Sequence, residues 1–152
     1  MATVTYLKAR QILDSRGTPT VEADMRLDNG NICRASVPSG ASTGSYESVE
    51  LRDKDKNKFN GKGVLKAIEN INSIISKEIK NKEFQTINEF DSFLINLDGT
   101  DNKSKIGANA ILACSMAFMK CSASNMNKEI YEFLNPDGPY LLPTPLMNII
   151  NG

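Results

Sequence analysis

The residues best suited to chemistry lie in one run, Val37-Pro38-Ser39-Gly40-Ala41-Ser42-Thr43-Gly44-Ser45. Ser39, Ser42, Thr43 and Ser45 offer hydroxyl oxygens, hard donors that suit a cation such as Mg²⁺ or hydrogen-bond a phosphate. Gly40 and Gly44 reach backbone conformations closed to other residues, and with no large or charged side chain in the run the backbone can approach a ligand closely. On residue types alone, ligand loop and plain linker both stay open, as do cation and phosphate. Other chemistries are excluded. The chain contains no histidine, which removes Ser-His and Cys-His nucleophile pairs and His-ligated zinc from anything it does alone. Gly40 to Gly44 lacks the Lys-Ser/Thr ending of a P-loop. Gly61-Lys62-Gly63-Val64-Leu65-Lys66 has a lysine where a dinucleotide fingerprint needs its third glycine, and reads as a turn into a helix.

Composition narrows the setting. At 152 residues the chain is long enough for one domain with a real core. Its 18 basic and 18 acidic residues cancel, so no nucleic-acid or membrane-surface partner is expected. No apolar run approaches the roughly 20 residues of a membrane span, and the N-terminus lacks the charged and apolar regions of a signal peptide. Three cysteines, Cys33, Cys114 and Cys121, cannot all pair, which favours a reducing, cytoplasmic setting. Cys114 and Cys121 share one helical pattern and read as small buried residues rather than a metal site.

The elements that must position the loop follow from periodicity. Val21, Ala23, Met25 and Leu27 alternate with polar residues as in a half-buried strand. Asp28-Asn29-Gly30-Asn31 supplies an Asn-Gly hairpin turn, and Cys33, Ala35 and Val37 continue the alternation on the return strand. An earlier strand around Val4 to Leu13 precedes the turn-like Asp14-Ser15-Arg16-Gly17. Three antiparallel strands thus deliver the chain into the Ser39 loop. Beyond it the period becomes helical: Val64, Ile68, Ile71, Ile75 and Ile79 form one stripe. Thr86 with Glu89 forms a capping box for a second helix, and Gly99 follows its end. Ile106 to Met119 reads as a buried central helix in which Ala110, Ala113 and Ala117 admit a close neighbour. A short helix around Lys128 to Leu134 follows. Strands and then helices predict an α+β fold, a three-stranded antiparallel β-meander followed by a helical bundle packed on one sheet face. Leu141 to Pro145 reads as an extended linker and Leu146 to Ile150 as a short buried strand. A terminal apolar strand needs a sheet to enter, so the chain is expected to be the first part of a longer protein.

Five blocks, in order, resemble the signatures of one family, enolase, the phosphopyruvate hydratase of glycolysis. They are Asp14 to Glu22, Val37 to Gly44, Glu50-Leu51-Arg52-Asp53 with Gly61-Lys62-Gly63-Val64, Lys103 to Ile111, and Pro143 to Gly152. The resemblance covers essentially the whole chain. Thr18, where the family usually has Asn, and Asp55-Lys56-Asn57-Lys58, where it more often has Gly-Asp, are departures outside the ligand loop.

The resemblance implies an N-terminal capping domain over 1–139, and over 140–152 a linker and first strand leading into an α/β barrel that this chain lacks. It implies a homodimeric, Mg²⁺-dependent lyase that dehydrates 2-phosphoglycerate to phosphoenolpyruvate, with the base, the acid and the first metal's carboxylates on the barrel. The 152-residue chain alone is therefore expected to be inactive. This segment would supply a mobile lid, Ser39, Gly40, Ala41, Ser42, Thr43 and Gly44. In it Ser39 ligates the second Mg²⁺ through hydroxyl and carbonyl, Ala41 meets substrate through its backbone, and Ser42, Thr43 and Ser45 shape the loop. By residue type Arg10, Arg16 and Glu22 are solvated strand-face charges. The resemblance instead assigns them to a dimer interface, Arg10 and Glu22 through ion pairs with the other subunit's barrel. The alternative function is a stand-alone, non-catalytic fragment or interaction module.

Overall fold

Alternation in the opening segment does produce strands. In this computed structural model, which describes residues 2–28, 30–40 and 44–147, β1 (Ala2–Leu13), β2 (Pro19–Leu27) and β3 (Cys33–Ser36) form an antiparallel meander. The Asp14 turn between β1 and β2 is built by its carboxylate: Oδ1 accepts the backbone N–H groups of Arg16 and Thr18, while Gly17 takes a φ of 73°. The connection from β2 to β3 is longer than a two-residue Asn-Gly turn, and Asn29 of that expected turn lies outside the described residues.

One expectation is corrected. The sheet has four strands, in the order β3-β2-β1-β4, because Glu83–Phe84 adds β4 beside Ala2 and Thr3. Two residues are too few to show an alternation, so no local pattern announces this strand. Along the rest of β1, one side chain takes the place of a further strand. Asn72 accepts from the Ala9 N–H at 2.8 Å and donates to the Ala9 carbonyl at 3.1 Å.

The helical stripe folds as expected, with a local widening. It comprises α1 (Leu65–Glu69), a π turn (Asn70–Ile75) and α2 (Ser76–Ile79), and Val64, Ile71, Ile75 and Ile79 are fully buried. Apolar residues spaced mostly by four drift off an ordinary helix, and the wider π turn brings Asn72 and the isoleucines back onto the sheet. α3 (Ile87–Asp98) starts where Thr86 accepts from the Glu89 N–H. The return arm of that box goes to the Gln85 N–H rather than to Thr86. Gly99 ends α3 in the left-handed conformation at φ 71°.

α4 (Ala108–Asn125) is the central helix and outlasts its expected end. Its buried Ala110, Ala113 and Ala117 let the helix sit close against β2 and β3. Phe118 stacks on Phe90 of α3 at 4.2 Å between ring centres, and burying a side chain of this size contributes about 2–3 kcal/mol. α5 (Ile130–Leu134) follows, capped reciprocally by Glu129 and Glu132. Leu146 and Met147 are exposed and in no regular element. The remainder of the expected terminal strand, 148–150, lies outside the described residues.

Candidate functional site

β3 and the segment after it aim the chain at Ser39. The Val37 N–H bonds the Val21 carbonyl at 2.9 Å, and the buried Thr20 hydroxyl donates to the Val37 carbonyl at 2.8 Å. Ser39 therefore leaves the sheet from a fixed point. Both of its oxygens are engaged. The Arg16 guanidinium donates to the Ser39 carbonyl at 2.8 Å. The Ser39 hydroxyl accepts from Arg52 at 2.7 Å and donates to Glu50 at 3.0 Å, and Arg52 also bonds Glu50 at 2.7 Å. Charge-assisted bonds of this kind are the strong members of their class.

Glu50 and Arg52 are held there by an extended segment that carries almost no regular structure. Leu51 bonds the Asn109 amide through both its N–H and its carbonyl, each at 3.1 Å. The Val49 carbonyl accepts from the Ala108 N–H at 2.8 Å. Asp53 caps α1 by accepting the N–H groups of Leu65 and Lys66, each at 2.9 Å. Gly107 makes this approach possible. It sits at φ 104°, and a Cβ there would lie 2.7 Å from the Leu51 Cβ. With Leu51 turned to the helix, Glu50 and Arg52 both face the cleft. Arg52 completes its bonding with the carbonyls of Pro19 and Lys62, each at 2.6 Å.

The result is a cleft of about 460 Å³ lined by Arg16, Thr18, Ser39, Glu50, Arg52 and Lys62. A second hollow, of about 440 Å³, lies across the loop and is lined partly by Gly40, Gly44 and Asn109. Three cations against one carboxylate make the first cleft suited to an anionic ligand. Among the described residues there is no group of three or more acidic or cysteine side chains able to hold a metal ion. Ser39 fits Mg²⁺ only as a partial donor: two hard oxygens from one residue, each already bonded to a guanidinium.

The sequence-predicted residues separate into two places. Ser39, Gly40 and Gly44 border these clefts, while Ala41, Ser42 and Thr43 lie outside the described residues. Arg16, expected with the interface residues, is bonded to the Ser39 carbonyl. Arg10 and Glu22 lie on the outer face of the sheet and bond one another. They belong to a lattice in which Asp24 binds both Arg10 and Arg34, and Glu22 also takes the Ser36 hydroxyl at 2.8 Å. Bonding from Arg34, reinforced by Arg10 against the cost of burial, lowers the Asp24 carboxyl to about 2. Sequence reasoning gave no role to Glu50, Arg52 or Lys62. The alternation Glu50-Leu51-Arg52 is the available signal, since it sets two opposite charges on one side of a half-buried leucine.

A sheet-first α+β domain with an oxygen-rich loop at the end of its third strand defines the class. The model of the enolase N-terminal domain family matches residues 4–134, and the chain belongs to that family. A curated relative, Enolase 1 of Chlorobaculum tepidum (strain ATCC 49652 / DSM 12025 / NBRC 103806 / TLS), is 55% identical over 146 residues. That alignment covers 96% of this chain and 34% of the relative, so the chain spans about a third of the relative's length. No described helix is long and apolar enough to cross a membrane.

Proposed function

We propose that this chain is the N-terminal portion of a phosphopyruvate hydratase, a cytoplasmic glycolytic lyase that converts 2-phosphoglycerate to phosphoenolpyruvate. Membership of the enolase N-terminal domain family carries the reading. In this reading residues 1–139 cap an α/β barrel, 140–152 lead into it, and the barrel supplies the base, the acid and most metal ligands. Bound Mg²⁺ stabilises the enediolate-like charge that develops on the substrate. Ser39, with Gly40 and the neighbouring Ala41, Ser42, Thr43 and Gly44, forms a lid that brings hydroxyl and carbonyl oxygens to the second ion. What supports Ser39 in this part is the convergence of both its oxygens, with Arg16, Arg52 and Glu50, on one cleft. Arg16 and Arg52 hold the two Ser39 oxygens at the cleft from which they would be offered to the ion. Excluding water from so charged a site strengthens every interaction inside it. A homodimer would present Arg10 and Glu22 to the second subunit, with Arg16 at the edge of that face.

The test is a coupled assay at millimolar Mg²⁺. The 152-residue chain gives no turnover, whereas the protein extended through its barrel does. Turnover by the short chain overturns the division of labour. In the extended protein Ser39→Ala lowers kcat and raises the Mg²⁺ needed for half-maximal rate. An unchanged Mg²⁺ titration removes Ser39 from the metal.

A further inference from the structure

We propose that Cys33 and Cys121 form a peroxide-oxidisable disulfide pair joining β3 to α4, a modification site remote from the Ser39 cleft. The geometry begins with register. Cys33 stands opposite Met25 in the β2–β3 ladder, on the same side of β3 as the buried Ala35, and packs against the core. From α4, the Cys121 sulfur donates to the Met25 carbonyl at 3.1 Å, so it sits over the residue that Cys33 faces. Cys33 also acts electrostatically on the Cys121 thiol, through both its side chain and its backbone N–H. Helix and strand are in direct contact along this line. Packed elements that bring two cysteines to one backbone position set up a cross-link that a pair on separate, unpacked elements cannot form.

The pair is asymmetric in access. Cys33 is partly exposed, with its sulfur 3.9 Å from the Asn31 carbonyl, whereas Cys121 is 1% exposed. Hydrogen peroxide therefore meets Cys33 first. The Cys33 sulfur takes one oxygen as the O–O bond breaks, leaving Cys33 sulfenic acid and one water. The Cys121 sulfur then attacks the Cys33 sulfur. The S–S bond forms, the S–O bond breaks, and hydroxide leaves with the Cys121 proton as a second water. Two thiols are oxidised and one peroxide is reduced, with no other reactant. Burial raises the Cys121 thiol well above its ordinary value, so its attack on the Cys33 sulfur quickens as pH rises. Cys114, fully buried on α4, is the internal control.

The experiment treats the purified chain with hydrogen peroxide, blocks the remaining thiols and maps peptides without reduction. The expected product is a monomer lighter by two hydrogens, with the Cys33 and Cys121 peptides linked and Cys114 blocked as a thiol. It should melt several degrees higher than the reduced chain, as a cross-link closing so long a loop predicts, and return to the original value with dithiothreitol. Cys114→Ser should leave the link intact and Cys33→Ser, at a part-exposed position, should abolish it. A Cys33 sulfinic acid without a link, an intermolecular Cys33–Cys33 dimer, or a link to Cys114 each overturns the proposal. None of these readouts depends on catalysis.

Discussion

The molecule contains two arginine–carboxylate networks, and they are built in opposite ways. On the outer face of the sheet, Arg10, Glu22, Asp24 and Arg34 meet because ladder register sets their strands side by side. There the backbone places the charges. At the Ser39 corner the chain around residues 49–54 has little regular structure of its own, and Arg52 ties Pro19, Lys62, Ser39 and Glu50 together through four bonds. Here Asn109 and Gly107 seat the chain, and Arg52 cross-links it to the segments around it. The lesson is that similar residue chemistry serves as surface cover in one region and as framework in the other. Only the framework borders a cleft with oxygens to offer.

If that contrast is right, the corner should be the more fragile of the two. The largest loss is expected for Gly107→Ala, about 3 kcal/mol in denaturant unfolding, because a Cβ at φ 104° drives into Leu51 and unseats the segment that holds Glu50 and Arg52. Arg52→Ala should cost about 2 kcal/mol, since four acceptors lose one partly buried charged donor, and Arg52→Lys should rescue little because an ammonium cannot span the same fork. Asp24→Asn should cost no more than this at neutral pH, about 2 kcal/mol, because Arg10 and Arg34 keep Glu22 while the carboxylate whose pKa they hold at about 2 is lost. A larger cost for Asp24→Asn than for Arg52→Ala would reverse the comparison. The lattice has its own signature in acid. The Asp24 carboxyl is lowered to about 2 in the fold, against about 3.9 in an unfolded chain. Its stabilisation is thus complete above about pH 4 and is lost as pH falls toward 2; Asp24→Asn should flatten that part of the stability–pH curve. Smallest of all, Arg16→Ala should change stability by no more than about 0.5 kcal/mol, since this exposed side chain holds one loop carbonyl. A melting curve that moves markedly would make Arg16 part of the framework.

Much of the fold was legible because its signals are local. The alternation from Thr20 to Leu27, the Thr86 cap, the Gly99 stop and the alanine face of α4 each declare themselves within a few residues. β4 was not legible, because two residues acquire strand character only by meeting Ala2 and Thr3 across the chain. The π turn was hidden for a related reason: the sequence shows a helical stripe, and the sheet it packs on dictates where the stripe must widen. At the site, Ser39 stood out through the absence of bulk and charge around it. Glu50 and Arg52 look like ordinary surface charges until Asn109 and Gly107 fix the leucine between them. Arg16 reaches Ser39 from the turn that joins the strands carrying Arg10 and Glu22, a link visible only once the Asp14 turn is formed.

The Asn72 amide on Ala9 has a consequence for how this protein behaves in a crowded solution. β4 covers only the first residues of β1, and a bare strand edge recruits strands from other molecules. By occupying the N–H and the carbonyl of Ala9 together, one asparagine imitates the next strand and blocks the middle of that edge. Across the sheet, Lys120 sets a charge on the β3 edge by bonding the Arg34 carbonyl at 2.9 Å. Both margins are thereby poor templates for polymerisation, and two side chains, one on each edge, do the capping.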